Sequence, residues 1–203
     1  MKVKICGIQD EKIALQALEY GADFLGFVFA KSKRQVSIET VKKIVEKLPS
    51  ETLTVGVFVN EKIEIVNEII IKCNLKMVQF HGEETFEYCS SFSIPVIKAF
   101  QIHSNEDIKR ALEFNVDYLL FDSPAGPIYQ GGNGTTFDWG LIENLGKKDN
   151  IILAGGLNSE NIEHALKIAS PQIVDISSGV ETNGMKDPSK IKTFIKKAKG
   201  MKE

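Results

Sequence analysis

Two side chains suited to proton transfer, Cys6 and Asp122, end segments with strand-like patterns. Cys6 closes a run that begins at Val3 and alternates polar and apolar residues, and Gly7 follows it. An alternation with a period of two is typical of a β-strand. A thiol and a carboxyl at the C-terminal ends of strands are groups that can remove and deliver protons. For Asp122, capping of the following loop is the alternative role.

Glycine-rich segments end the last two strand-like runs, at 154–156 and 177–179. Glycine lets backbone N–H groups approach an anion closely, and the N-terminus of a following helix adds a partial positive charge. Because such segments end both runs, we predict a phosphate site there; tight turns without a ligand are the alternative. The predicted contacts are Gly155, Gly156, Ser177, Ser178 and Gly179, with Gly132 of a long loop as a further donor.

Polar residues also follow other strand-like runs. Arg34 follows the second run, and its planar guanidinium is suited to binding a carboxylate through two hydrogen bonds; a solvated loop cation is the alternative. His81 ends the fourth run with Gln79 on the same face, and we predict both as substrate contacts, with polar rim residues as the alternative. No two of His81, His103 and His164 have the i, i+4 spacing of metal ligands, so we predict no metal site.

Strand-like runs alternate with helical patterns along the whole sequence and would carry these residues. The predicted strands span residues 3–6, 24–29, 53–59, 77–81, 96–100, 118–122, 151–154 and 173–177. The predicted helices span residues 11–20, 38–48, 63–73, 85–92, 105–114, 139–145, 159–168 and 188–199. The loop 123–136 is long and rich in glycine, which is typical of a lid or binding loop.

Eight such units predict one α/β domain over residues 1–203, a single (βα)8 TIM barrel with parallel strands. Active sites of such barrels lie at the C-terminal ends of the strands, where the candidate residues are found. An open doubly wound sheet is the alternative. It is disfavoured because no GxGxxG motif follows the first strand.

Lys4 lies two residues before Cys6, so the two side chains share a face of the first strand. If that face lines the barrel, Lys4 needs a partner, because an unpaired buried charge is costly. Strand eight would neighbour strand one and offers Asp175. We predict an inward Lys4 paired with Asp175, since Val3 and Ile5 suit the helix-facing side; an outward, solvated Lys4 is the alternative.

Composition narrows the function classes. A formal net charge of −2 over 203 residues gives no general attraction to nucleic acid. No apolar run reaches the length of a membrane span, and we expect no export signal.

The three cysteines include no CxxC pair, so we expect free thiols in a reducing cytoplasm, with Cys73 and Cys89 in the core. The expected partner is a small phosphorylated molecule, and the oligomeric state stays open between monomer and homodimer.

Eight short motifs stand out along the chain: Lys4–Gly7, Gly26–Phe29, Lys31–Arg34, Gly56–Asn60, Val78–Gly82, Thr136–Trp139, Ala154–Leu157 and Val174–Glu181. Together they resemble the phosphoribosylanthranilate isomerase family of tryptophan biosynthesis, over essentially the whole length. The resemblance implies an Amadori rearrangement of N-(5-phosphoribosyl)anthranilate to 1-(2-carboxyphenylamino)-1-deoxyribulose 5-phosphate, without cofactor or metal.

The resemblance also implies roles for single residues. The family's general acid, which opens the ribose ring, corresponds to Asp122, and its general base, which takes the C2 proton, corresponds to Cys6. The arginine that holds the anthranilate carboxylate corresponds to Arg34. For Cys6 to act as a thiolate, we expect its pKa to be lowered from about 8.5, with Lys4 and nearby helix N-termini as causes.

Two other function classes fit a phosphate-binding barrel. An indole-glycerol-phosphate synthase or a sugar-phosphate epimerase is the rival enzyme. The first would use a lysine acid, for which Lys98 is the obvious candidate, and the second would use clustered metal ligands. A phosphate-binding module or thiol sensor is the non-catalytic rival, and it predicts ligand binding without turnover that survives the loss of Cys6.

Overall fold

Eight parallel strands pair in chain order and close into a barrel, as the sequence predicts. The structure is a computed structural model and describes residues 1–124, 136–143, 145 and 149–201. The barrel strands are β1 (Lys2–Cys6), β2 (Phe24–Val28), β3 (Leu53–Phe58), β4 (Met77–Phe80), β5 (Val96–Gln101), β6 (Tyr118–Asp122), β7 (Ile151–Leu153) and β8 (Ile173–Ile176). The helices are α1 (Glu11–Glu19), α2 (Ile38–Val45), α3 (Ile63–Cys73), α4 (Phe86–Cys89), α5 (Asn105–Leu112), α6 (Gly140–Glu143), α7 (Ile162–Ala169) and α8 (Pro188–Lys199).

Capping side chains begin several helices. Asp10 accepts a hydrogen bond from the amide of Ile13 at the start of α1, and Ser37 accepts one from Thr40 at the start of α2. Such caps satisfy amide groups that have no partner within the helix. The loops after β1 and β2 therefore have a defined end, which helps to fix their residues at the rim of the barrel.

Helix α4 is shorter than predicted because serine side chains end it. The hydroxyl of Ser90 donates to the Phe86 carbonyl at 2.9 Å, and the hydroxyl of Ser91 donates to the Tyr88 carbonyl at 2.7 Å. Serine hydroxyls that bond to the local backbone compete with helix continuation. The spacing of the apolar residues predicts a helix as far as residue 92, because that spacing contains no information about competing serine hydrogen bonds.

A β-hairpin after β8 was not predicted. Its strands are β9 (Glu181–Thr182) and β10 (Met185–Lys186), and the register pairs Lys186 with Glu181. Asn183 and Gly184 form the turn with φ values of 53° and 78°. An Asn-Gly pair with positive φ at both positions is a strong signal for a two-residue hairpin turn. The sequence therefore contained the hairpin signal, in strands too short to show alternation.

Apolar side chains fill the part of the barrel near the strand N-termini. Phe24, Met77 and Ile173 are each the first residue of their strands, and all three belong to the inner core. The inner core consists of Phe24, Val55, Met77, Ile97, Ala99, Leu120, Ile152, Ala154 and Ile173. A larger apolar cluster packs the helices against the outside of the strands. The opposite end of the barrel is thus left for polar side chains.

The two faces of β1 divide as the sequence predicts. Val3 and Ile5 are fully buried in the apolar cluster under the helices. Lys4 is also fully buried, and its Nζ lies 2.9 Å from an Asp175 carboxylate oxygen. The register pairs Lys4 with Asp175 on β8, so the prediction of an inward, paired lysine is confirmed.

Part of the predicted lid lies outside the described residues. The predicted loop 123–136 includes residues 125–135, and Gly132 is among them. Within the part of the chain that the structure describes, no helix is both long enough and apolar enough to cross a membrane.

Candidate active site

The C-terminal ends of the strands surround a chamber of about 570 Å³. That volume falls in the range typical of small-molecule sites, roughly 300–1,000 Å³. The sequence-predicted residues that line it are Cys6, Arg34, Gln79, His81, Asp122, Gly155, Gly156, Asp175, Ser177 and Ser178. The chamber therefore brings together residues from the first, second, fourth, sixth, seventh and eighth units of the barrel.

Cys6 lies at the end of β1 with only 8% of its surface exposed. Gly26 on β2 is its partner in the register, and a Cβ atom at position 26 would lie 3.0 Å from the Cys6 sulfur and 3.1 Å from Lys4 Nζ. A glycine at this position leaves room for both groups. The Ser177 hydroxyl donates to the Cys6 carbonyl at 3.0 Å and holds the end of β1 against the residue that follows β8.

The predicted lowering of the Cys6 pKa is wrong for this structure. Burial raises the pKa of the Cys6 thiol, and the opposing attraction of the Lys4 ammonium does not cancel that effect. Burial disfavours the charged form of a thiol because the thiolate loses its hydration. The sequence revealed the nearby lysine, but it did not reveal that the sulfur is enclosed or that Asp175 also raises the pKa.

Asp122 is buried at the end of β6 and faces His81. One of its carboxylate oxygens accepts a hydrogen bond from the Ser123 amide at 2.8 Å. The other lies 3.2 Å from His81 Nε2, close in distance but without hydrogen-bond alignment. The Gln79 amide nitrogen lies 3.0 Å from His81 Nδ1. Gln79, His81 and Asp122 therefore form a row of polar groups along one wall of the chamber.

The glycines after β7 bring the backbone close to Asp122. Gly155 has a φ of 81°, and a Cβ atom there would lie 2.5 Å from the Ser123 amide nitrogen and 3.1 Å from an Asp122 oxygen. Gly156 has a φ of 60°. Both positions therefore need a residue that tolerates the left-handed region, and position 155 also lacks space for a side chain.

The segment after β8 contributes Ser177 and Ser178 to the chamber wall, whereas Gly179 is not among the lining residues. A Cβ atom at position 179 would overlap the Leu157 carbonyl oxygen. Gly179 thus lets the segment after β8 pack against the segment after β7. Its contact with a phosphate stays a prediction, as does that of Gly132, which lies outside the described residues.

Arg34 is buried rather than solvated, with 5% of its surface exposed. Its Nε and Nη2 atoms donate to the two carboxylate oxygens of Glu181 at 2.5 and 3.0 Å. The side chain crosses Gly7, where a Cβ atom would lie 2.6 Å from Arg34 Cδ. Gly7, with a φ of 83°, is therefore needed both for the turn and for the path of the arginine. The sequence predicted a fork open to a ligand, but one edge of that fork already binds Glu181.

Two residues near Arg34 were missed by the sequence analysis. Glu181 stood in the last of the quoted motifs without an assigned role. Lys186 was not singled out, although its Nζ donates to Glu181 at 2.8 Å and to the Ser177 carbonyl at 2.8 Å. The Asn-Gly turn was the only signal that could have brought Lys186 beside Glu181.

Lys98, the candidate acid of a rival enzyme, is engaged elsewhere. It is 3% exposed, and its Nζ donates to the Gly82 carbonyl at 2.7 Å and lies 3.1 Å from a Glu84 oxygen. Glu84 in turn accepts hydrogen bonds from the amides of Asn60 and Gly82. This buried ion pair fixes the loop after His81. Lys98 does not appear among the residues that line the chamber.

The other thiols and the acidic groups suggest no further site. Cys73 and Cys89 are 1% exposed, as predicted, and burial raises the pKa of each to about 11. Cys6, Cys73 and Cys89 are all free thiols. Among the described residues, no three His, Cys, Asp or Glu side chains are grouped so that they could hold a metal ion.

Known proteins are similar to this chain over nearly its whole length. The family model described as N-(5'phosphoribosyl)anthranilate (PRA) isomerase matches residues 3–197. The N-(5'-phosphoribosyl)anthranilate isomerase of Bacillus cereus (strain AH187) is 51% identical over 201 residues, which cover 98% of each sequence.

Solved structures agree with the sequence relatives. The phosphoribosyl anthranilate isomerase of Thermotoga maritima is 43% identical, with a TM-score of 0.90 over 99% of this chain and 100% of that chain. A second isomerase structure, in complex with reduced 1-(o-carboxyphenylamino)-1-deoxyribulose 5-phosphate, is 41% identical, with a TM-score of 0.87 over 99% and 100% of the two chains. The chain therefore belongs to the N-(5'-phosphoribosyl)anthranilate isomerase family.

Proposed function

We propose that the chamber carries out the family's reaction, a step of tryptophan biosynthesis, with Cys6 as general base and Asp122 as general acid. The substrate is N-(5'-phosphoribosyl)anthranilate, and the product is 1-(2-carboxyphenylamino)-1-deoxyribulose 5-phosphate. The observation that carries the proposal is that one chamber is lined by a thiol, a carboxyl, an arginine, the two glycines after β7 and the two serines after β8. Each of these groups matches one part of the substrate.

The reaction needs two proton transfers and no change in overall composition. Asp122 delivers a proton to the ribose ring oxygen, which breaks the bond between that oxygen and C1 and leaves a protonated imine. Cys6 then removes the proton from C2, and the electron pair moves into the imine to give an enolamine. The enolamine takes up a proton at C1 and loses the proton of its C2 hydroxyl, which gives the aminoketose. Return of the proton from Cys6 to Asp122 by way of solvent restores both groups. Since β1 and β6 lie on roughly opposite sides of the barrel, the two groups can act on different sides of the sugar.

His81 and Gln79 belong to the Asp122 side of the chamber. The 3.2 Å between His81 Nε2 and Asp122 supports a role for His81 in orienting the carboxyl toward the ring oxygen. The contact from Gln79 fixes the other nitrogen of the imidazole. Both side chains remain able to bind the sugar hydroxyls. Asp175 is paired with Lys4 and also lines the chamber, and we propose that it contacts the sugar.

The phosphate site is proposed at the ends of β7 and β8. Gly155, Gly156, Ser177 and Ser178 line the chamber there, and the two glycines have positive φ values. Turns of this kind direct successive backbone N–H groups toward an anion. This position also agrees with the phosphate site of many barrels, which lies after the seventh and eighth strands.

We expect Gly156→Asn to weaken substrate binding with little effect on folding. Asparagine tolerates the left-handed region, as Asn60, Asn74 and Asn183 do here, but its side chain would occupy the space of the phosphate. Loss of one charge-assisted hydrogen bond corresponds to roughly 1.5–3 kcal/mol of binding. The measurement is KM, together with the inhibition constant of inorganic phosphate.

Gly200→Asn is the matched control for this change. Gly200 has a φ of 64° at the end of α8, and nothing lies within 4 Å of a Cβ atom there. If KM changes equally in both variants, replacement of a left-handed glycine, and not loss of phosphate binding, is the cause.

Arg34 is proposed to hold the anthranilate carboxylate with the edge of the guanidinium that Glu181 leaves free. We expect Arg34→Lys to lower kcat/KM, because lysine offers a point charge in place of a planar fork. The loss should correspond to roughly 1.5–3 kcal/mol of transition-state stabilisation. The measurement compares the normal substrate with N-(5'-phosphoribosyl)aniline, which lacks the carboxylate. Unchanged kcat/KM for the normal substrate would remove Arg34 from the site.

A turnover assay tests the proposed function as a whole. N-(5'-phosphoribosyl)anthranilate is generated in situ, and the loss of its fluorescence is followed with and without the protein. The proposal expects catalysed loss. Ligand binding without turnover would instead favour the non-catalytic module. The rival barrel enzymes lose support because the family match covers residues 3–197.

The remaining expectations concern organisation. We propose one barrel domain over residues 1–203, acting in the cytoplasm as a monomer or a homodimer on a small phosphorylated substrate without a cofactor. One relative supports the second oligomeric state, since the Thermotoga maritima isomerase is described as dimeric. Light scattering during size-exclusion chromatography distinguishes the two states.

A further inference from the structure

Glu181 is an unusual carboxylate because it is buried among three cationic side chains. Its side chain is 5% exposed and binds Arg34 through both oxygens. Lys186 donates to the same carboxylate at 2.8 Å, and Lys33 approaches it at 3.6 Å from the surface. A buried charge is costly unless it is paired and hydrogen-bonded, so a carboxylate in this position requires these partners.

The contact uses only one edge of the Arg34 guanidinium. Glu181 takes one N–H from Nε and one from Nη2. A guanidinium has five N–H donors, so three remain, two on Nη1 and one on Nη2. These remaining donors form a second planar fork, which matches a second carboxylate. Arg34 is one of the residues that line the chamber.

Lys186 keeps the charge of Arg34 available for a ligand. Glu181 by itself would cancel the arginine, and the chamber would then attract a carboxylate weakly. Burial lowers the pKa of the Lys186 ammonium from its ordinary value, and the Glu181 carboxylate opposes that effect. With Lys186 protonated, its side chain being 4% exposed, Arg34, Glu181 and Lys186 together carry a net charge of +1. The hairpin register places Lys186 directly opposite Glu181, so the pairing is built into the backbone.

Lys186 also connects this cluster to the strand that carries Cys6. Its ammonium donates to the Ser177 carbonyl at 2.8 Å and approaches the Ser177 hydroxyl at 3.2 Å. That hydroxyl donates to the Cys6 carbonyl at 3.0 Å. The position of the arginine is thus fixed relative to the ends of both β1 and β8.

We propose that Glu181 and Lys186 are positioning residues that hold the Arg34 guanidinium with its free edge toward the chamber and so set the specificity for the substrate's ring carboxylate. The inference rests on the proposed function. Burial alone would raise the pKa of Glu181, but the Arg34 hydrogen bonds and Lys186 outweigh it and lower that pKa to about 2. Glu181 is therefore ionised throughout the neutral range.

The test measures selectivity for the carboxylate rather than activity alone. The variants are Glu181→Gln and Glu181→Asp, and the substrates are N-(5'-phosphoribosyl)anthranilate and N-(5'-phosphoribosyl)aniline. We expect both variants to lower the ratio of kcat/KM for the first substrate over the second by about tenfold, mainly through KM for the first. Glu181→Asp keeps the buried charges balanced, so it gives a folded variant if Glu181→Gln is unstable.

Two further variants separate positioning from general stability. Lys33→Ala removes the exposed lysine near the same carboxylate, and we expect it to leave the ratio unchanged. In an Arg34→Lys background, Glu181→Gln should reduce the ratio no further, because Glu181 acts only through Arg34. Lys186→Met should lower the ratio in the presence of Arg34, in the same direction as Glu181→Gln.

The outcomes distinguish this inference from the proposed function. If the unmodified protein turns over substrate normally and the Glu181 variants leave the ratio unchanged, this inference alone is overturned. The ratio is unchanged when kcat/KM stays the same for both substrates or falls equally for both. Absence of turnover by the unmodified protein overturns the proposed function and this inference with it.

Discussion

We expect Cys6→Ala and Asp122→Asn each to lower kcat by roughly 10²–10⁴-fold, with little change in KM. In the proposed mechanism, each variant removes one proton transfer and leaves the phosphate and carboxylate contacts in place. Cys6 and Asp122 end β1 and β6, and both line the same chamber. Steady-state kinetics with substrate generated in situ provides the measurement.

Cys73→Ala is the matched control for the loss of the thiol. Cys73 is also buried, but it lies on α3, where its sulfur is 3.6 Å from the Ile38 carbonyl. We expect this variant to change stability without lowering kcat. If Cys6→Ala retains near-normal kcat, the base is wrongly assigned, and His81 becomes the next residue to replace.

The raised pKa of Cys6 should make this thiol react slowly with alkylating reagents in the unliganded enzyme. Alkylation requires the thiolate, and burial raises the pKa of Cys6 above its ordinary value. Inactivation by iodoacetamide should therefore be slow at neutral pH and should keep accelerating as the pH rises above 9. A product analogue should protect the enzyme. A higher pKa also makes the thiolate a stronger base once formed, which suits removal of a proton from carbon.

The architecture could be predicted because the hydrophobic patterns are regular. Strand-like apolar runs and helices with an apolar face follow one another eight times, and the structure has the eight parallel strands in that order. The parity argument for Lys4 also succeeded, because side chains two residues apart on a strand must share a face. These conclusions depend on local periodicity, which a single sequence displays directly.

The parts that failed depend on contacts between distant segments. Arg34 and Glu181 are 147 positions apart, and nothing in either segment reveals that they meet. The pKa of Cys6 depends on how completely its neighbours enclose the sulfur. The need for glycine at position 26 follows from the positions of Cys6 and Lys4 on the adjacent strand. Such features become visible only when the strands are closed into a barrel.

The largest expected loss of stability comes from breaking the buried pair of Lys4 and Asp175. Both groups lie inside the barrel, 2.9 Å apart, and the Lys4 side chain is fully buried. We expect Lys4→Met or Asp175→Asn to lower the free energy of unfolding by roughly 3–5 kcal/mol, because each change leaves one charge buried without a partner. Unfolding in urea, followed by circular dichroism, provides the measurement.

The pH dependence of this contribution follows from the direction of the Lys4 shift. Burial by itself lowers the pKa of Lys4, but attraction to Asp175 and to the Cys6 sulfur outweighs it and raises the pKa above 10.5. A raised lysine pKa contributes stability fully below the unfolded value, and the contribution is lost as the pH rises through the folded value. The difference between the unmodified protein and Lys4→Met should therefore stay constant at neutral pH and shrink above about pH 10.5.

Two comparisons make this prediction specific to the buried pair. Lys72→Met breaks a pair with Glu68 whose side chains are 54% and 47% exposed, and solvent should reduce its effect to a small fraction of that at Lys4. The double variant Lys4→Met with Asp175→Leu removes both charges, and it should recover much of the loss because apolar replacements of buried pairs are often tolerated. Two results would contradict the prediction that the pair is buried and mutually dependent. In the first, the losses of unfolding free energy in the double variant are strictly additive. In the second, Lys4→Met costs no more stability than Lys72→Met.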